Sequence, residues 1–319
     1  MWLAPADIER LANDPARRMR MPALDRIDLS RPFVPEHYTQ LYYTPIYRSL
    51  HREHRLRYNQ LFGVRINEYI MMLEADLVER LLAPLARHPE VARDPALVRC
   101  LAAMIEEERA HYSCFVALNR TCFPDLYRTR ERCFSDLPWP LRALFAGVGL
   151  LAGRFAFALW YLMAMEESST ALARELARNE PTETLGPLEP NFAAVHREHL
   201  KDEARHLQLD GILIDLCLAG SGRARRAVNA ALFKAMLGTV TTPTRTGSGV
   251  KVIRELVRQR PELAWREAEM IDAALALRHD RAFQASLFNR KAMPLTFGVF
   301  DGTHEFHDLA DRMVGYDRR

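Results

Sequence analysis

The stretch of the chain that most constrains its fold runs from Val195 to Leu209 and reads VHREHLKDEARHLQL. It contains the motif His-x-x-x-Glu-x-x-His, formed by His199, Glu203 and His206. On a helix that turns by about 100° per residue, these three side chains fall within an arc of roughly 60° and converge on one point. Two imidazoles and a carboxylate that converge in this way are typical ligands of iron, manganese or zinc. The sequence therefore predicts a helix that brings metal ligands into the protein interior.

The charged neighbours of this motif are predicted to form the solvated face of the same helix; they are Arg197, Glu198, Lys201, Asp202 and Arg205. The alternative is a solvated helix that carries histidines by chance. A lone Glu-x-x-His pair is expected about once in a chain of this composition, but a further histidine on the same face makes coincidence far rarer. Asp210 lies one turn after His206 and is a candidate to orient that imidazole.

The composition of the whole chain excludes several classes of protein. With 319 residues, 49% hydrophobic and 27% charged, the chain is typical of a globular protein with a large core. A net charge of +3 and short arginine clusters without interleaved aromatic residues disfavour nucleic-acid binding. The five cysteines are scattered and form no C-x-x-C pair, which favours free thiols in a reducing compartment. The N-terminus lacks the apolar segment of a signal peptide, so we expect a cytoplasmic protein.

One apolar stretch, Leu141 to Met165, has to be weighed as a membrane span. Arg154 divides it into two runs that are each shorter than the ~20 residues needed to cross a bilayer, and the stretch continues directly into Glu166 and Glu167. We therefore predict a buried helix of a protein that does not contact a membrane.

The N-terminal part of the chain is predicted to be an irregular arm over residues 1–47, because recurrent prolines prevent a long helix. Its aromatic residues are expected to anchor it to the core: Phe33, Tyr38, Tyr42, Tyr43 and Tyr47. The first long helix is predicted from about Pro45 to Ala83, with Gly63 as a position where it could break. Glu74 is the one acid on its apolar stripe, since Glu68, Asp76 and Glu79 lie off that stripe.

Two further helices are predicted before the His199 motif. The second helix ends near Thr121, and its apolar face carries Glu108 and His111, another Glu-x-x-His pair. The flanking residues Glu106, Glu107 and Arg109 are expected on its solvated side. On the third helix, Glu166 shares the apolar stripe with Leu159 and Leu162, whereas Glu167 aligns with Arg174 and Arg178. We therefore prefer Glu166 to Glu167 as the inward-facing acid.

The C-terminal third is predicted to contain additional helices and a tail. Residues 241–249, TTPTRTGSG, indicate an exposed loop, and a helical pattern returns over residues 250–287 with an interruption at Pro261. The tail from Met293 to Arg319 has no clear periodicity. No strand-like alternation and no glycine-rich phosphate loop are found, which disfavours a nucleotide-binding α/β fold. The sequence predicts an all-α single domain over residues 1–319, with an arm at 1–47, a four-helix metal core at 48–215 and additional helices at 216–319.

Each of the four predicted core helices thus carries one acid on its apolar stripe: Glu74, Glu108, Glu166 and Glu203. Four buried carboxylates repel one another, and each costs several kcal/mol to bury unless it is paired. Two divalent cations would balance their charge. One Glu from each of two helices and Glu-x-x-His from each of the other two is the ligand pattern of di-iron and di-manganese carboxylate bundles with the ferritin-like fold. A network of buried hydrogen bonds and salt bridges is the alternative.

The remaining histidines are excluded from this prediction as surface residues or core residues with other partners: His51, His54, His88, His196, His279, His304 and His307. His196 is the nearest rival to His199, but it lies a further turn from Glu203.

With HLKDEARH at residues 199–206 and ERAH at 108–111, the sequence resembles the p-aminobenzoate N-oxygenase family of di-iron arylamine oxygenases in antibiotic biosynthesis. The resemblance covers roughly residues 60–215. It implies seven iron ligands: Glu74, Glu108, His111, Glu166, His199, Glu203 and His206. His199 is the specific part, because six ligands without it would fit many ferritin-like proteins.

This resemblance implies a monooxygenase that uses two iron ions, O2 and an external electron donor such as a reductase to convert a primary amine to a hydroxylamine, with further oxidation to nitroso or nitro left open. The sequence does not decide between an aryl amine and an aliphatic one such as a free or carrier-bound amino acid. No organic cofactor, nucleic acid or membrane partner is predicted, no catalytic residue is assigned beyond the metal ligands, and a homodimer is left open. An iron-storage or structural bundle is the alternative from another functional class, and a radical-generating site is a further one.

Overall fold

The computed structural model describes residues 2–24, 26–136, 139, 142–143, 146–147 and 152–317. Helices dominate these residues, and no strand occurs among them. The α-helices, numbered in chain order, are α1 Pro5–Ala12, α2 Pro45–Ser49, α3 Arg52–Leu73, α4 Glu79–Leu85, α5 Pro89–Ala92, α6 Pro95–Cys122, α7 Ala156–Arg178, α8 Pro190–Leu218, α9 Arg223–Thr241, α10 Ser248–Gln259, α11 Glu267–Ala276, α12 Arg281–Leu287 and α13 Pro294–Asp301. The predicted all-α, ferritin-like fold class is confirmed.

The first core helix consists of α3 and α4, joined by a π-helical turn over Glu74–Val78. The break considered at Gly63 is absent, because α3 runs through this residue. Gly63 instead allows close packing, since an added Cβ would lie 2.8 Å from the Cβ of Phe33. The other three core helices are α6, α7 and α8.

Local capping fixes where the long helices begin and therefore which residues face inward. Asp94 precedes α6 and accepts hydrogen bonds from the backbone N–H groups of Ala96 at 2.9 Å and Leu97 at 3.3 Å. Glu189 precedes α8 in the same way and accepts from the N–H of Phe192 at 2.6 Å. A proline follows each cap, at the position where its missing N–H costs nothing.

Two clusters of apolar side chains pack on opposite sides of a polar layer in the core. Along α8, Phe192 and Val195 belong to one cluster, whereas Leu207 and Leu213 belong to the other. Along the other core helices, too, the apolar side chains pass from one cluster to the other: at Glu74 on the first, around Glu108 on α6 and at Glu166 on α7. The polar level is therefore closed above and below by packed side chains, each of which contributes about 1.5–3 kcal/mol of burial free energy.

The N-terminal arm contains only short helices, as its prolines predict, and it wraps the core. Phe33 and Tyr47 are buried anchors, while Tyr38, Tyr42 and Tyr43 are half-buried. Near its start, the Trp2 indole donates a hydrogen bond to Asp215 at 2.9 Å and packs against Gly211 of α8. The arm thus reaches the outer side of the metal-motif helix.

The predicted buried helix Leu141–Met165 lies partly outside the described residues. Where its first half is described, Arg142, Ala143, Ala146 and Gly147 are exposed, so among the described residues the prediction of burial holds from Ala156 onward. No helix of the described chain is long and apolar enough to span a membrane.

The C-terminal region follows the predicted loop and helices, except in the tail. The tail forms α13 and packs against α7, although its sequence has no clear period. All five cysteines are free thiols.

Candidate metal centre

The candidate site begins at the π-helical turn of the first core helix. Glu74 is its first residue and is buried, as the apolar stripe predicted. A π-turn changes the direction of the following side chains relative to an α-helix, and such turns occur often at functional sites. Asp76, in the same turn, forms an ion pair with Arg132 at 2.9 Å, and this contact also helps to fix the turn.

All seven sequence-predicted ligands lie in one interior cluster. They form two groups in which donor atoms lie within 4.8 Å of one another: Glu74, His111 and His199 in the first, and Glu108, Glu166, Glu203 and His206 in the second. Every member is buried. Glu203 connects the groups, because its Oε1 lies 2.8 Å from His199 Nε2 and 3.5 Å from His111 Nδ1. The structure therefore offers two adjacent positions for metal ions, while ligation itself stays a prediction.

The donor atoms of this cluster lack ordinary partners. Both carboxylate oxygens of Glu74, Glu108 and Glu203 are buried without a hydrogen bond from the described residues. The same is true of Nδ1 in His111 and His206 and of both ring nitrogens of His199; His199 Nε2 lies 2.8 Å from Glu203 Oε1, but the two atoms do not have hydrogen-bond geometry. Buried polar atoms without partners are rare and each costs about 1–3 kcal/mol. Two divalent cations would satisfy these atoms and balance the four carboxylates, so the residues fit a two-metal centre.

The charges of the cluster also shift its pKa values. Burial raises the pKa of Glu74 to about 7. Burial, together with the charges of Glu203 and Glu108, holds the pKa of Glu166 well above its usual range. Burial lowers the pKa of His111, but hydrogen bonding to Asp202 and the nearby Glu108 outweigh it and raise that pKa to about 10. The metal-free cluster therefore holds protons that bound cations would displace.

A second layer of carboxylates orients two of the histidines, and the sequence reasoning missed it. His111 on α6 contacts Asp202 on α8 through Nε2 at 2.9 Å, and His206 on α8 contacts Glu107 on α6 through Nε2 at 3.0 Å. Each Nδ1 is left to face the metal positions. Carboxylates in this place fix the tautomer and orientation of a metal-binding imidazole.

Arg205 joins the two outer carboxylates. Its Nη2 donates to Glu107 Oε1 at 2.8 Å and to Asp202 Oδ1 at 2.7 Å. The prediction that Glu107, Asp202 and Arg205 lie on solvated faces is therefore wrong, because all three are buried. The sequence did contain a sign of the two outer acids, because an acid directly precedes the predicted ligand glutamate in both motifs, EERAH at 107–111 and DEARH at 202–206.

This chain matches a known protein family over most of its length. The family is described as P-aminobenzoate N-oxygenase AurF, and the match covers residues 6–277 of the 319. The chain belongs to the p-aminobenzoate N-oxygenase family. No curated protein matches it. Membership in this family of di-iron oxygenases agrees with the buried Glu and His clusters.

Of the two consecutive glutamates on the third core helix, Glu166 is the one that lies in the donor cluster. Its carboxylate belongs to the second donor group, whereas Glu167 does not. Glu167 shares its helix face with Arg174 and Arg178, but unlike these exposed arginines it is fully buried. It accepts hydrogen bonds from the N–H groups of Leu295 and Thr296. These belong to the first turn of α13, a helix that the sequence did not reveal.

Three other polar residues near the donor cluster have surroundings that differ from those of the predicted ligands. Asp210 does not orient His206, because Glu107 occupies that position; both Asp210 oxygens lack a partner among the described residues, and burial holds its pKa well above its usual range. Glu68 lies off the apolar stripe but is buried, where it accepts a hydrogen bond from Tyr127 at 2.6 Å. His196, excluded from the ligand set, contacts Asn67 at 3.0 Å and belongs to neither donor group.

A cavity of about 420 Å³ connects the metal positions of this family member to the surface. Four of its lining residues belong to the donor cluster: Glu74, Glu166, His199 and Glu203. Apolar side chains such as Ile70, Leu73 and Met165 form part of the wall, and the exposed cations Arg174, Arg178 and Lys291 lie at its outer part. A small molecule in this cavity can therefore reach both donor groups.

Arg65 is a notable polar group in the cavity wall. Its guanidinium lies over the rings of Phe62 and Tyr69, with its carbon 5.1 Å and 5.6 Å from their centroids. Its only hydrogen bond to a described residue is donated by Nε to Ser248 Oγ at 2.8 Å. Burial lowers the pKa of Arg65. Among the described residues, its hydrogen-bond partner is the Ser248 hydroxyl and not a carboxylate. The remaining N–H groups of this half-buried cation are available to an anion in the cavity.

Proposed function

We propose that the protein is a di-iron N-oxygenase that uses O2 to convert a primary amine to a hydroxylamine. The observation that carries the proposal is the cavity, because its inner end is formed by members of both donor groups, Glu74 and His199 from one and Glu166 and Glu203 from the other. A bundle that only stores iron has no need for a partly apolar cavity ending at both metal positions. Family membership supports the choice of amine oxidation.

The seven ligand residues would hold two iron ions, which supply the activation of O2. In the overall reaction, one oxygen atom enters the new N–O bond and the other leaves as water. Two electrons and two protons from an external donor complete the balance. The chain itself holds the ligands through the contacts of Asp202 and Glu107, excludes water with the two apolar clusters and positions the amine in the cavity.

The wall of the cavity favours an amine that also carries an acidic group. Arg65 offers unpaired N–H donors in a partly desolvated setting, where an ion pair is stronger than at the surface. Arg174, Arg178 and Lys291 lie at the outer part of the same cavity, where Glu175 is engaged by His37 at 3.1 Å. Both an aromatic amino acid of the aminobenzoate type and a free aliphatic amino acid meet this description, whereas a carrier-bound amino acid has its carboxyl group in the linkage to the carrier and offers no carboxylate to Arg65.

Purified, iron-loaded protein offered a panel of amines would test the proposal. The panel should contain aryl and aliphatic amines, each with and without a carboxylate, together with a chemical or enzymatic electron donor. We expect a hydroxylamine that carries one atom from ¹⁸O2, detected by mass spectrometry, for at least one acid-bearing amine. Oxygen consumption with iron oxidation alone, and no nitrogen-oxygenated product from any amine, would instead support the iron-binding bundle.

A further inference from the structure

A short segment of the N-terminal arm contacts the outer side of the metal centre. We call residues Arg17–Arg20 the outer strap. The backbone N–H of Met19 donates to both carboxylate oxygens of Asp202, at 3.2 Å and 3.1 Å. The backbone carbonyl of Arg17 accepts a hydrogen bond from Arg205 Nη1 at 2.7 Å. These contacts join residues 183 and 188 positions apart in the chain.

Two more contacts extend the outer strap across α6 and α8. Arg18 Nε lies 3.8 Å from Glu107 Oε1, and the N–H of Arg20 donates to Glu198 Oε2 at 3.1 Å. The strap thus touches Asp202, Arg205 and Glu107, the three residues of the second layer. It reaches them from the side opposite the buried histidines, since Arg17, Arg18 and Arg20 are themselves exposed.

The strap contacts with the second layer lead through one or two side chains to a predicted ligand. Asp202 accepts from Met19 on one side and contacts His111 Nε2 on the other, at 2.9 Å. Arg205 binds the strap carbonyl and also holds both Asp202 and Glu107, the partner of His206. Only two or three hydrogen bonds therefore separate this segment, which begins at the end of a short 3-10 helix and is mostly exposed, from the two imidazoles predicted to bind metal.

We propose that the outer strap is a positioning element of the metal centre. The N–H of Met19 and the carbonyl of Arg17 fix Asp202 and Arg205, which in turn fix the orientation of His111 and His206. Without the strap, Asp202 loses one donor and gains contact with water, and Arg205 loses an acceptor. The two rings would then sample orientations that point Nδ1 away from the metal positions. This proposal rests on the metal centre and does not depend on oxidation of an amine.

The charges of this layer support the same role. Glu107 and Asp202 carry two negative charges beneath the strap, and Arg205 and Arg18 supply two positive ones. Glu198 has its own partner, Lys201, at 2.6 Å. Hence the layer is a neutralised, closed network that the strap completes.

The backbone donor can be removed with Met19→Pro, because proline has no N–H. Arg18 already has φ −101° and ψ 145°, an extended conformation that a residue before proline adopts readily. The matched control is Met21→Pro, which places the same residue in the same arm at an exposed position whose N–H donates to no described residue. Both variants are compared as full-length, metal-free protein titrated with Co²⁺ and followed by its visible absorption.

We expect Met19→Pro to weaken Co²⁺ binding by about tenfold and to change the visible bands, since loss of an outer partner typically costs 10–100-fold in metal affinity. Met21→Pro should bind Co²⁺ as the parent does. Equal affinity and equal spectra for both variants would overturn the proposal. Circular dichroism of the metal-free proteins checks that the fold persists.

If Met19→Pro does not fold, Arg205→Gln decides the question. It breaks the bridge between the strap, Asp202 and Glu107 while leaving all seven ligands in place. A Co²⁺ affinity at least tenfold below that of the parent, with altered bands, supports the proposal. An unchanged affinity overturns it. No amine or O2 is used, so a failure here is distinct from a failure of the proposed N-oxygenase function.

Discussion

Glu166 and Glu167 are consecutive residues of α7, yet their carboxylates hold two different parts of the protein. Glu166 belongs to the donor group of Glu203 and His206, and Glu167 accepts hydrogen bonds from the first turn of α13 at 2.7 Å and 3.0 Å. Both are buried, although they point about 100° apart on the helix. One residue thus serves the candidate metal site, while its neighbour attaches the C-terminal tail.

Substitution at these two positions should separate metal binding from stability. Glu166→Ala should lose much of the bound iron, because the second donor group loses one of its carboxylates. Glu167→Ala should keep its iron but lower the free energy of unfolding by about 1–3 kcal/mol, since two buried N–H groups lose their acceptor. Iron per chain and thermal unfolding of both variants provide the measurement. Loss of iron in Glu167→Ala alone would mean that α7 is rotated relative to the structure.

The metal content should be two ions per chain. Protein produced in iron-replete medium should hold about two irons, because two divalent cations balance four buried carboxylates. Glu203→Ala should reduce this to below one, since Glu203 Oε1 lies within 3.6 Å of a ring nitrogen in each of His111, His199 and His206. Elemental analysis tests both numbers. A single zinc ion and no iron after reconstitution would contradict the two-metal centre.

His199 should affect reactivity more than metal retention. His199→Ala removes one of three donors from the first group, while the second group of four stays complete. We expect more than one iron per chain, together with lost or altered amine oxidation, because this imidazole also lines the cavity. Iron analysis and product analysis by mass spectrometry are the measurements. Full iron and undiminished hydroxylamine formation would show that His199 is only a buried helix residue.

Metal binding should release protons and weaken as the pH falls. In the metal-free cluster the pKa is raised to about 7 for Glu74 and to about 10 for His111, so at pH 7 the Glu74 carboxyl is partly protonated and the His111 imidazole is almost fully protonated. A metal ion needs the deprotonated forms, and lower pH therefore favours the protons. Calorimetric titration at pH 7 in buffers with different ionisation enthalpies should detect at least one proton released. An affinity independent of pH between 6 and 8 would contradict this coupling.

Arg65 should determine the preference for an acid-bearing amine. Arg65→Met should raise KM for such an amine by about 10–100-fold, corresponding to the loss of a charged hydrogen bond, and should leave kcat nearly unchanged. A neutral amine of the same size should be affected far less. Arg178→Met, at the exposed end of the cavity, is the control and should change KM by less than about threefold because water screens that charge. An equal rise in KM for charged and neutral amines would show that Arg65 only shapes the cavity.

The sequence could predict which residues meet in the buried cluster because helical periodicity acts locally, while their ligation of metal stays a prediction. The spacings in HLKDEARH and ERAH identify which side chains share one helix face, and the recurrence of one acid on each apolar stripe identifies Glu74 and Glu166. Local caps such as Asp94 and Glu189 keep those faces in register with the core. Few other arrangements bury four carboxylates, so the all-α bundle followed from the same residues.

The outer layer could not be predicted in the same way. Asp202, Glu107 and Arg205 look like solvated charges on their own helices, since a one-helix projection does not show what covers the outer face. Helix packing brings Asp202 to His111, and the arm covers Asp202 from 183 residues away. Likewise, only the docking of α13 makes Glu167 a buried acceptor.

The sequence by itself determined the four core helices and the seven residues on them that share one buried polar layer. The tertiary structure decided the division of those residues into two donor groups, the partners of each imidazole, and the cavity with Arg65 in its wall. The reason is physical: a residue's direction on a helix depends on its neighbours within a few positions, whereas burial and hydrogen bonding depend on which distant segment packs against it.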